Sequence, residues 1–448
     1  MMKPEKKKSL ENKRKTLALN NGKVFINGKL TQKNILIEKG IIQKISEKPF
    51  TAFKELDCKN KIILPGAIDV HVHFRTPGFE NKEDWFSGSL AALHGGVTTV
   101  MDMPNTNPPV ITAKTFENKK KFIAENAIVN FDIYMAATND NINEINKIKN
   151  LRGVKLYYGS TTGNIILNQE DKIIELFNLS KKKNFVVVAH AEDESEIQSN
   201  LKKFAKEKNP SVHQKIRNEE VEAKAIKNLL KLQEKIGNKL HIAHISSAKG
   251  LELIKKAKKR KNGNKITCET TPNYLFLDSS KYPKLKNLMK CNPAIKSIKN
   301  RKALFNGIKN KTIDIVSTDH APHELSEKNK TYWNCPSGIP GIETMLPLLI
   351  NSVNKKEISL KRIVEIVSEN PSKIFNWKNK GFIKKGFSAD LVIINMKKSF
   401  TIKNKELFTK AQYSPFNGQR IKGVIETTIL RGDLFGWKNS TCIKITRN

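Results

Sequence analysis

Six histidines, an aspartate and a lysine stand where short apolar runs end. His71 and His73 form an H-x-H in DVHVHF, His190 closes NFVVVAH, and His244 follows KLHIA. Asp319, His320 and His323 cluster in STDHAPH, and Lys155 lies in GVKLYYG. Imidazole nitrogen together with carboxylate oxygen is a donor set for zinc and other borderline divalent ions. On an extended strand, residues i and i+2 project to the same side, so His71 and His73 can serve one ion. A lone histidine ending an apolar strand is usually a hydrogen-bonded core residue. Ligand types at the ends of several strands point instead to metal. Two ions only about 3.5–4 Å apart repel each other unless an anion bridges them. An ammonium is a poor neighbour for cations, whereas a lysine carboxylated by CO2 is an anionic bidentate ligand. Lys155 therefore reads either as such a bridge or as an anchor for an anionic substrate.

The elements that must position these groups follow from the pattern around them. Eight apolar, β-branched runs occur in order: IILPGAIDVHVHF, GVTTVMDMP, NFDIYMAA, GVKLYYG, NFVVVAHA, KLHIAHIS, KITCETTPN and IDIVSTDHAPH. Amphipathic stretches such as QEDKIIELFNLSKKK and NEEVEAKAIKNLLKLQEKIG separate them. This alternation predicts a parallel sheet with right-handed crossovers, closed as an α/β (β/α)8 TIM barrel. In such barrels the C-terminal strand ends form the active site, so the ligand-type residues converge on one mouth. The flanks read differently. KVFINGKLTQKNILIEKGIIQKISE carries NGK and EKG turns between alternating apolar residues, the signature of hairpins, and ADLVIINM and RIKGVIETTILRGDLFGW resemble it. The two flanks are expected to pair into one small β-sandwich. The division is 1–63 and 376–448 for the sandwich and 64–375 for the barrel, with the first dozen residues loose.

Composition narrows the class. The 448 residues suffice for one large barrel with a smaller domain, so folding needs neither disulfides nor a structural metal. Cys58, Cys268, Cys291, Cys335 and Cys442 are scattered without a C-x-x-C pair and read as reduced thiols. The charged N-terminus lacks a signal-peptide core, no run is long enough to span a membrane, and a cytoplasmic protein is expected. The 81 Lys+Arg against 43 Asp+Glu give a net charge of +38, a balance that raises nucleic acid as a partner. The lysines are dispersed among Asn and Ile along the whole chain and lack aromatic motifs. They read as solvated surface, so no specific nucleic-acid partner and no membrane partner is expected.

With these residues in view, the chain resembles the amidohydrolase superfamily and, within it, the lysine-bridged, dihydropyrimidinase-like branch of the dihydroorotases. The matching segments are DVHVHFRTPG, GGVTTVMDMPNTNP, GVKLYYGSTTGN, VVVAHAED, HIAHISSAKG, CNPAIKS, STDHAPH and SGIPGIET. The resemblance implies reversible cyclisation of N-carbamoyl-L-aspartate to L-dihydroorotate in pyrimidine synthesis. It implies two divalent ions, zinc by expectation. His71, His73 and Asp319 would hold the first, His190 and His244 the second, with carboxylated Lys155 between them. Asp319 would also shuttle the proton between attacking water and departing amide nitrogen. Arg75 and Asn105 would bind the substrate carboxylate and His323 would help from the opposite side, with Asn292 and the Ser337–Gly338 backbone near the ring. Bare alternatives stand beside these: Asn105 as a turn residue after Pro104, and Ser337–Gly338 as loop.

Where this branch usually reads N-P-P-L-R, the chain has Asn292–Pro293–Ala294–Ile295–Lys296, which loses the arginine fork and puts a role for Lys296 in doubt. His94, His213 and His241 carry no assigned role, and His241 is expected to face out of its strand. Allantoinases and dihydropyrimidinases share the fold but typically lack an arginine at the position of Arg75, because their substrates carry no carboxylate there. An inactive relative that only scaffolds aspartate transcarbamoylase would have lost metal ligands, and all six are present here. A homo-oligomer is expected; association with aspartate transcarbamoylase is left open.

Overall fold

The structure, a computed structural model, describes residues 16–161, 165–438 and 441–444. The expected loose N-terminal dozen lies outside the described residues. Two sheet systems carry the chain. The first is one continuous nine-stranded sheet built from both flanks. It uses β1 (Thr16–Ile26), β2 (Lys29–Glu38), β3 (Ile41–Ser46), β4 (Lys54–Asp57) and β5 (Ile62–Pro65). The barrel strands β6 to β14 intervene, and β15 (Leu391–Thr401), β16 (Arg420–Leu430), β17 (Asp433–Lys438) and β18 (Thr441–Lys444) complete the sheet. Both hairpins expected from the sequence form. Asn27 and Gly28 have φ of 51° and 79°, and Lys39 and Gly40 have 50° and 79°, the paired left-handed residues of tight two-residue turns. The halves join where β5 runs antiparallel to β15, Ile63 opposite Ile393. Leu19, Val24, Ile35, Ile63, Leu391, Ile393 and Ile429 fill the core of this sandwich domain.

The second system is the barrel. Its strands are β6 (Ala67–Val72), β7 (Val97–Asp102), β8 (Asn130–Ile133) continued by β9 (Met135–Ala136), β10 (Gly153–Tyr157), β11 (Val186–His190), β12 (Lys239–Ile242), β13 (Ile266–Thr270) and β14 (Ile315–Val316). Neighbours pair in parallel, and a parallel bridge between Val72 and His320 links the first strand to the last. The run expected as the first barrel strand is divided. Ile62–Pro65 belongs to the flank sheet, and the barrel strand starts at Ala67. Gly66 marks the crossing because a Cβ there would stand 2.3 Å from Thr98 Oγ1.

Helices pack outside the strands for legible reasons. The Glu219–Ile236 helix starts at Asn218, whose side chain accepts from the Glu220 and Val221 amides, and it ends at left-handed Gly237. Glu219, Glu220 and Glu222 occupy its first turn, where the helix dipole favours negative charge. Val221, Ala225, Ile226, Leu229 and Leu232 make its buried stripe. Along β11, Val187 and Ala189 face these helices while Val186 and Val188 face the barrel interior, so the next inward residue is His190 at the mouth.

One buried ion pair fixes the rim near the first two strands. Lys119 Nζ lies 2.6 Å from Asp102 Oδ2 and donates to the Met103 carbonyl at 2.9 Å, while Asp102 Oδ1 accepts from the Phe74 amide at 2.7 Å. Removing one partner would strand a charge in the core. Lys119→Met is expected to lower the unfolding free energy by about 3–5 kcal/mol, read from urea denaturation. A loss below about 1 kcal/mol would show that the pair is dispensable.

Candidate active site

His71, His73, Arg75, Asn105, Lys155, His190, His244, Asn292, Asp319, Ser337 and Gly338 line one cavity at the barrel mouth. Of the expected site residues, only His323 is absent from that wall.

Plain strand alternation does not place all of them. Ile68 and Val70 point into the barrel interior, so His71 should point away. The register of β6 against β7 shifts between Asp69 and Val72, and this bulge turns His71 and His73 toward the mouth. His244 shares the parity of Ile242, which packs outward against the helices. A left-handed backbone at His244, φ 36°, re-aims its ring. Arg75 at 65° and Asp319 at 47° are held the same way. Such backbone is sparsely populated for non-glycine residues and gathers at functional sites.

Distances within the cavity form two groups. Asp319 Oδ1 lies 3.3 Å from His71 Nε2 and 3.1 Å from His73 Nε2. One donor atom from each of these three residues falls within 4.8 Å of the others. Deeper in, His190 Nδ1 and His244 Nε2 are 3.0 Å apart. Tetrahedral bonds of 2.0–2.1 Å place neighbouring donor atoms about 3.3 Å apart, so both groups have the spacing of a metal's coordination sphere. Lys155 Nζ is buried and makes no hydrogen bond to any described residue.

The electrostatics suit neutral ligands. Burial, above all, pushes His73 down to about 4 and His190 and His244 below the usual imidazole range; for His244 the charges of His190, Lys155 and His71 add to it. Burial likewise lowers Lys155 to about 8, against the pull of Glu269 and Asp319. For Asp319, burial acts upward, but His71, His73 and Lys155 together hold the carboxyl below its ordinary value.

Residues the sequence analysis missed support the rings from behind. Glu269 Oε1 lies 2.5 Å from His71 Nδ1, and its other oxygen is 3.3 Å from His241 Nε2. His241 therefore faces into the barrel, not outward as expected. The inward parity of Ala243, just past the end of the same strand, agrees. Glu192 Oε2 is 3.0 Å from His190 Nε2 and pairs with Arg217. Carboxylates behind metal-ligating histidines fix tautomer and ring orientation. Their only signals were a glutamate inside an apolar strand, CETT, and one two residues past His190.

The expected substrate residues sit differently from one another. Arg75 is buried, donates from Nε to the Pro322 carbonyl at 3.0 Å, and forms no ion pair with any described residue. Asn105 Oδ1 is 2.7 Å from His73 Nδ1, so this amide orients a ligand-type ring and is more than a turn residue. His323 stands beside Arg75, not opposite it: Nε2 is 3.2 Å from Arg75 Nη2 and 3.1 Å from the Ser337 carbonyl. Lys82 Nζ faces His323 Nδ1 at 3.2 Å, which favours the tautomer whose Nε2 proton goes to Ser337. Asn292 Oδ1 is 3.0 Å from His213 Nε2, giving His213 a supporting role. The Gly338 amide already donates to the Lys290 carbonyl, and its own carbonyl accepts from Lys328 and Tyr413. Gly338 therefore contributes shape to the wall, not a spare hydrogen bond. Lys296 turns away from the cavity to donate to Ser246 Oγ at 2.7 Å.

The amidohydrolase family profile matches residues 62–435 of this chain. A dihydroorotase of Methanosphaera stadtmanae is 36% identical over 415 residues, covering 91% of this chain and 94% of that protein. One of Pyrococcus abyssi is 35% identical over 92% of this chain and 93% of its own. The chain belongs to the amidohydrolase family. Within it the chain groups with the dihydroorotases, and membership makes it a hydrolase of cyclic amides that depends on divalent metal. Among solved amidohydrolases, an L-hydantoinase (dihydropyrimidinase) of Arthrobacter aurescens superimposes with a TM-score of 0.91 at 29% identity, covering 96% of this chain and 97% of its own. The barrel with a β-sandwich from both flanks is thus the architecture of the family. No helix among the described residues is long and apolar enough to cross a membrane.

Proposed function

We propose that this enzyme is a dihydroorotase, interconverting N-carbamoyl-L-aspartate and L-dihydroorotate at the cavity of His71, Arg75 and Asp319. The observation that carries the substrate assignment is Arg75. A buried guanidinium with no carboxylate partner among the described residues calls for an anionic ligand, and its planar fork suits a carboxylate. Dihydroorotate carries one on the ring; dihydrouracil and simple hydantoins do not. The fold likeness to a hydantoinase motivates the second reading, a cyclic-amide hydrolase without that requirement.

The donor atoms fit two divalent ions, with zinc the first choice for this nitrogen-rich set. His71, His73 and Asp319 would hold one, His190 and His244 the other, and Lys155 as a carbamate would join them. Such ions supply Lewis acidity, polarising a carbonyl and bringing the pKa of water toward neutrality. The chain's own groups do the rest. Arg75 fixes the carboxylate, the Gly338 wall and Asn292 confine the ring, and Asp319 takes a proton from water and returns it to the departing amide nitrogen. Cyclisation runs the same transfers backwards.

Elemental analysis is expected to give two divalent ions per chain, and chelation is expected to abolish turnover. Lys155→Ala should lose at least one ion, because its buried amine makes no hydrogen bond to any described residue. Full activity in rigorously metal-free protein would end the metal reading. Wild-type metal content and rate in Lys155→Ala would end the bridge alone. The substrate test is direct: kcat/KM for dihydroorotate, dihydrouracil and hydantoin on one preparation. Equal processing of the uncharged rings would favour the hydantoinase-like reading.

A further inference from the structure

Two lysines are buried behind the cavity wall, and neither has a carboxylate partner among the described residues. Lys328 is 1% exposed, and its Nζ donates to three carbonyl oxygens: Lys290 at 3.1 Å, Pro336 at 3.0 Å and Gly338 at 3.1 Å. Lys290 Nζ donates to the carbonyls of Tyr332 at 2.7 Å and Cys335 at 2.5 Å. Among the described residues neither ammonium forms an ion pair. Burial, before any neighbouring charge, lowers Lys328 to about 8 and draws Lys290 down as well. Buried ammonium groups are costly, and an apolar side chain of similar length would fill the space more cheaply. What it could not do is tie the Pro336 and Gly338 carbonyls of one loop to the Lys290 carbonyl around a single point.

That loop leads to the substrate. Residues 332–338 supply Ser337 and Gly338 to the cavity wall. The Ser337 carbonyl holds His323 Nε2 at 3.1 Å, and the same ring lies 3.2 Å from Arg75 Nη2. A short chain of hydrogen bonds thus runs from Lys328 through the Pro336–Gly338 backbone to His323, whose ring packs beside the guanidinium without accepting a hydrogen bond from it. With Arg75, the lysines also bring three buried cations, none ion-paired among the described residues, to this part of the molecule, a preorganised field for an anion.

We propose that Lys328, backed by Lys290, is a positioning residue for the substrate carboxylate: it pins the Ser337–Gly338 wall and, through the His323 ring packed beside the guanidinium, limits where Arg75 can sit. This rests on the dihydroorotase reading. Lys328 touches neither the metal-ligand set nor the reacting atoms, so its effect falls on binding and not on the chemical step.

The test is steady-state kinetics with dihydroorotate for the metal-loaded wild type, Lys328→Met and Lys290→Met, with metal content and thermal melting recorded on the same samples. Lys328→Met is expected to raise KM at least fivefold with kcat within threefold and metal content unchanged. Lys290→Met should move KM in the same direction by less. A folded Lys328→Met with KM within twofold of wild type overturns the proposal, as does a fall in kcat at unchanged KM. If Lys328→Met does not fold, a KM within twofold in Lys290→Met overturns it, and failure of both to fold assigns the lysines to stability and overturns it too. A wild type that does not turn over dihydroorotate fails the underlying reading, and the proposal falls with it. The wild-type rate therefore tells the two failures apart.

Discussion

Arg75→Met is expected to cut kcat/KM for dihydroorotate by ~10³-fold or more while the protein keeps its metals, because the ring's carboxylate then enters a buried site with nothing to meet it. The size follows from burial. The guanidinium already pays for desolvation, which lowers its pKa below the ordinary arginine value against the pull of Asp319 and Asp102. Only a bound anion compensates that cost. A site built around such a group rejects the analogue lacking the carboxylate more strongly than a merely apolar pocket could. Arg75→Lys should also be damaging, since a point charge does not reproduce two parallel hydrogen bonds. The measurement is kcat/KM for dihydroorotate and dihydrouracil in wild type and both variants, with metal content on each. A loss below tenfold in Arg75→Met would remove Arg75 from carboxylate recognition and reopen the hydantoinase-like reading.

The second large effect belongs to Asp319. Its carboxylate is 3.1 Å from His73 Nε2 and 3.3 Å from His71 Nε2, held below the usual carboxyl range by those neighbours despite burial. It is therefore ionised and able to accept a proton where water and the amide nitrogen must meet. Asp319→Ala removes a proton carrier and a donor atom together, so the rate should fall by at least the ~10²–10⁴-fold typical of losing a general acid–base group. Asp319→Asn keeps the shape and one oxygen donor but cannot carry the proton, and separates the two contributions. Rates in both directions should fall in step, since one group serves both. A fall of less than tenfold in either direction would exclude the shuttle.

Much of this was readable in the sequence because chemistry and period coincide. Ligand types at the ends of alternating strands mark a barrel mouth, and Asn27–Gly28 marks a hairpin from two residues alone. What escaped reading depends on deviations from period. Alternation sends His71 and His244 the wrong way, and only a bulge and a left-handed backbone bring them back. Glu269 is a single acid whose value lies in a partner far away in sequence, His71, and Glu192, though close to His190, is held there by Arg217, which the local sequence does not show. His241 looked outward for the same reason: nothing local reveals that a glutamate waits inside the barrel. Lys290 and Lys328 are the extreme case. Among 81 Lys+Arg, no local feature separates two buried anchors from the solvated remainder.

The pairing of β5 with β15 has a bearing on how the chain is made. Ile63 and Ile393 are neighbours in the sheet, yet about 330 residues separate them along the chain. At roughly 5–20 residues per second, a ribosome needs on the order of 15–65 s to deliver the second after the first. Throughout that interval the apolar β5, Ile62–Pro65, has an unfilled edge while the whole barrel emerges beyond it. The sandwich can thus close only after the barrel has been synthesised. A segment made long before its partner waits with that edge open, which makes it a place where a chaperone has much to guard.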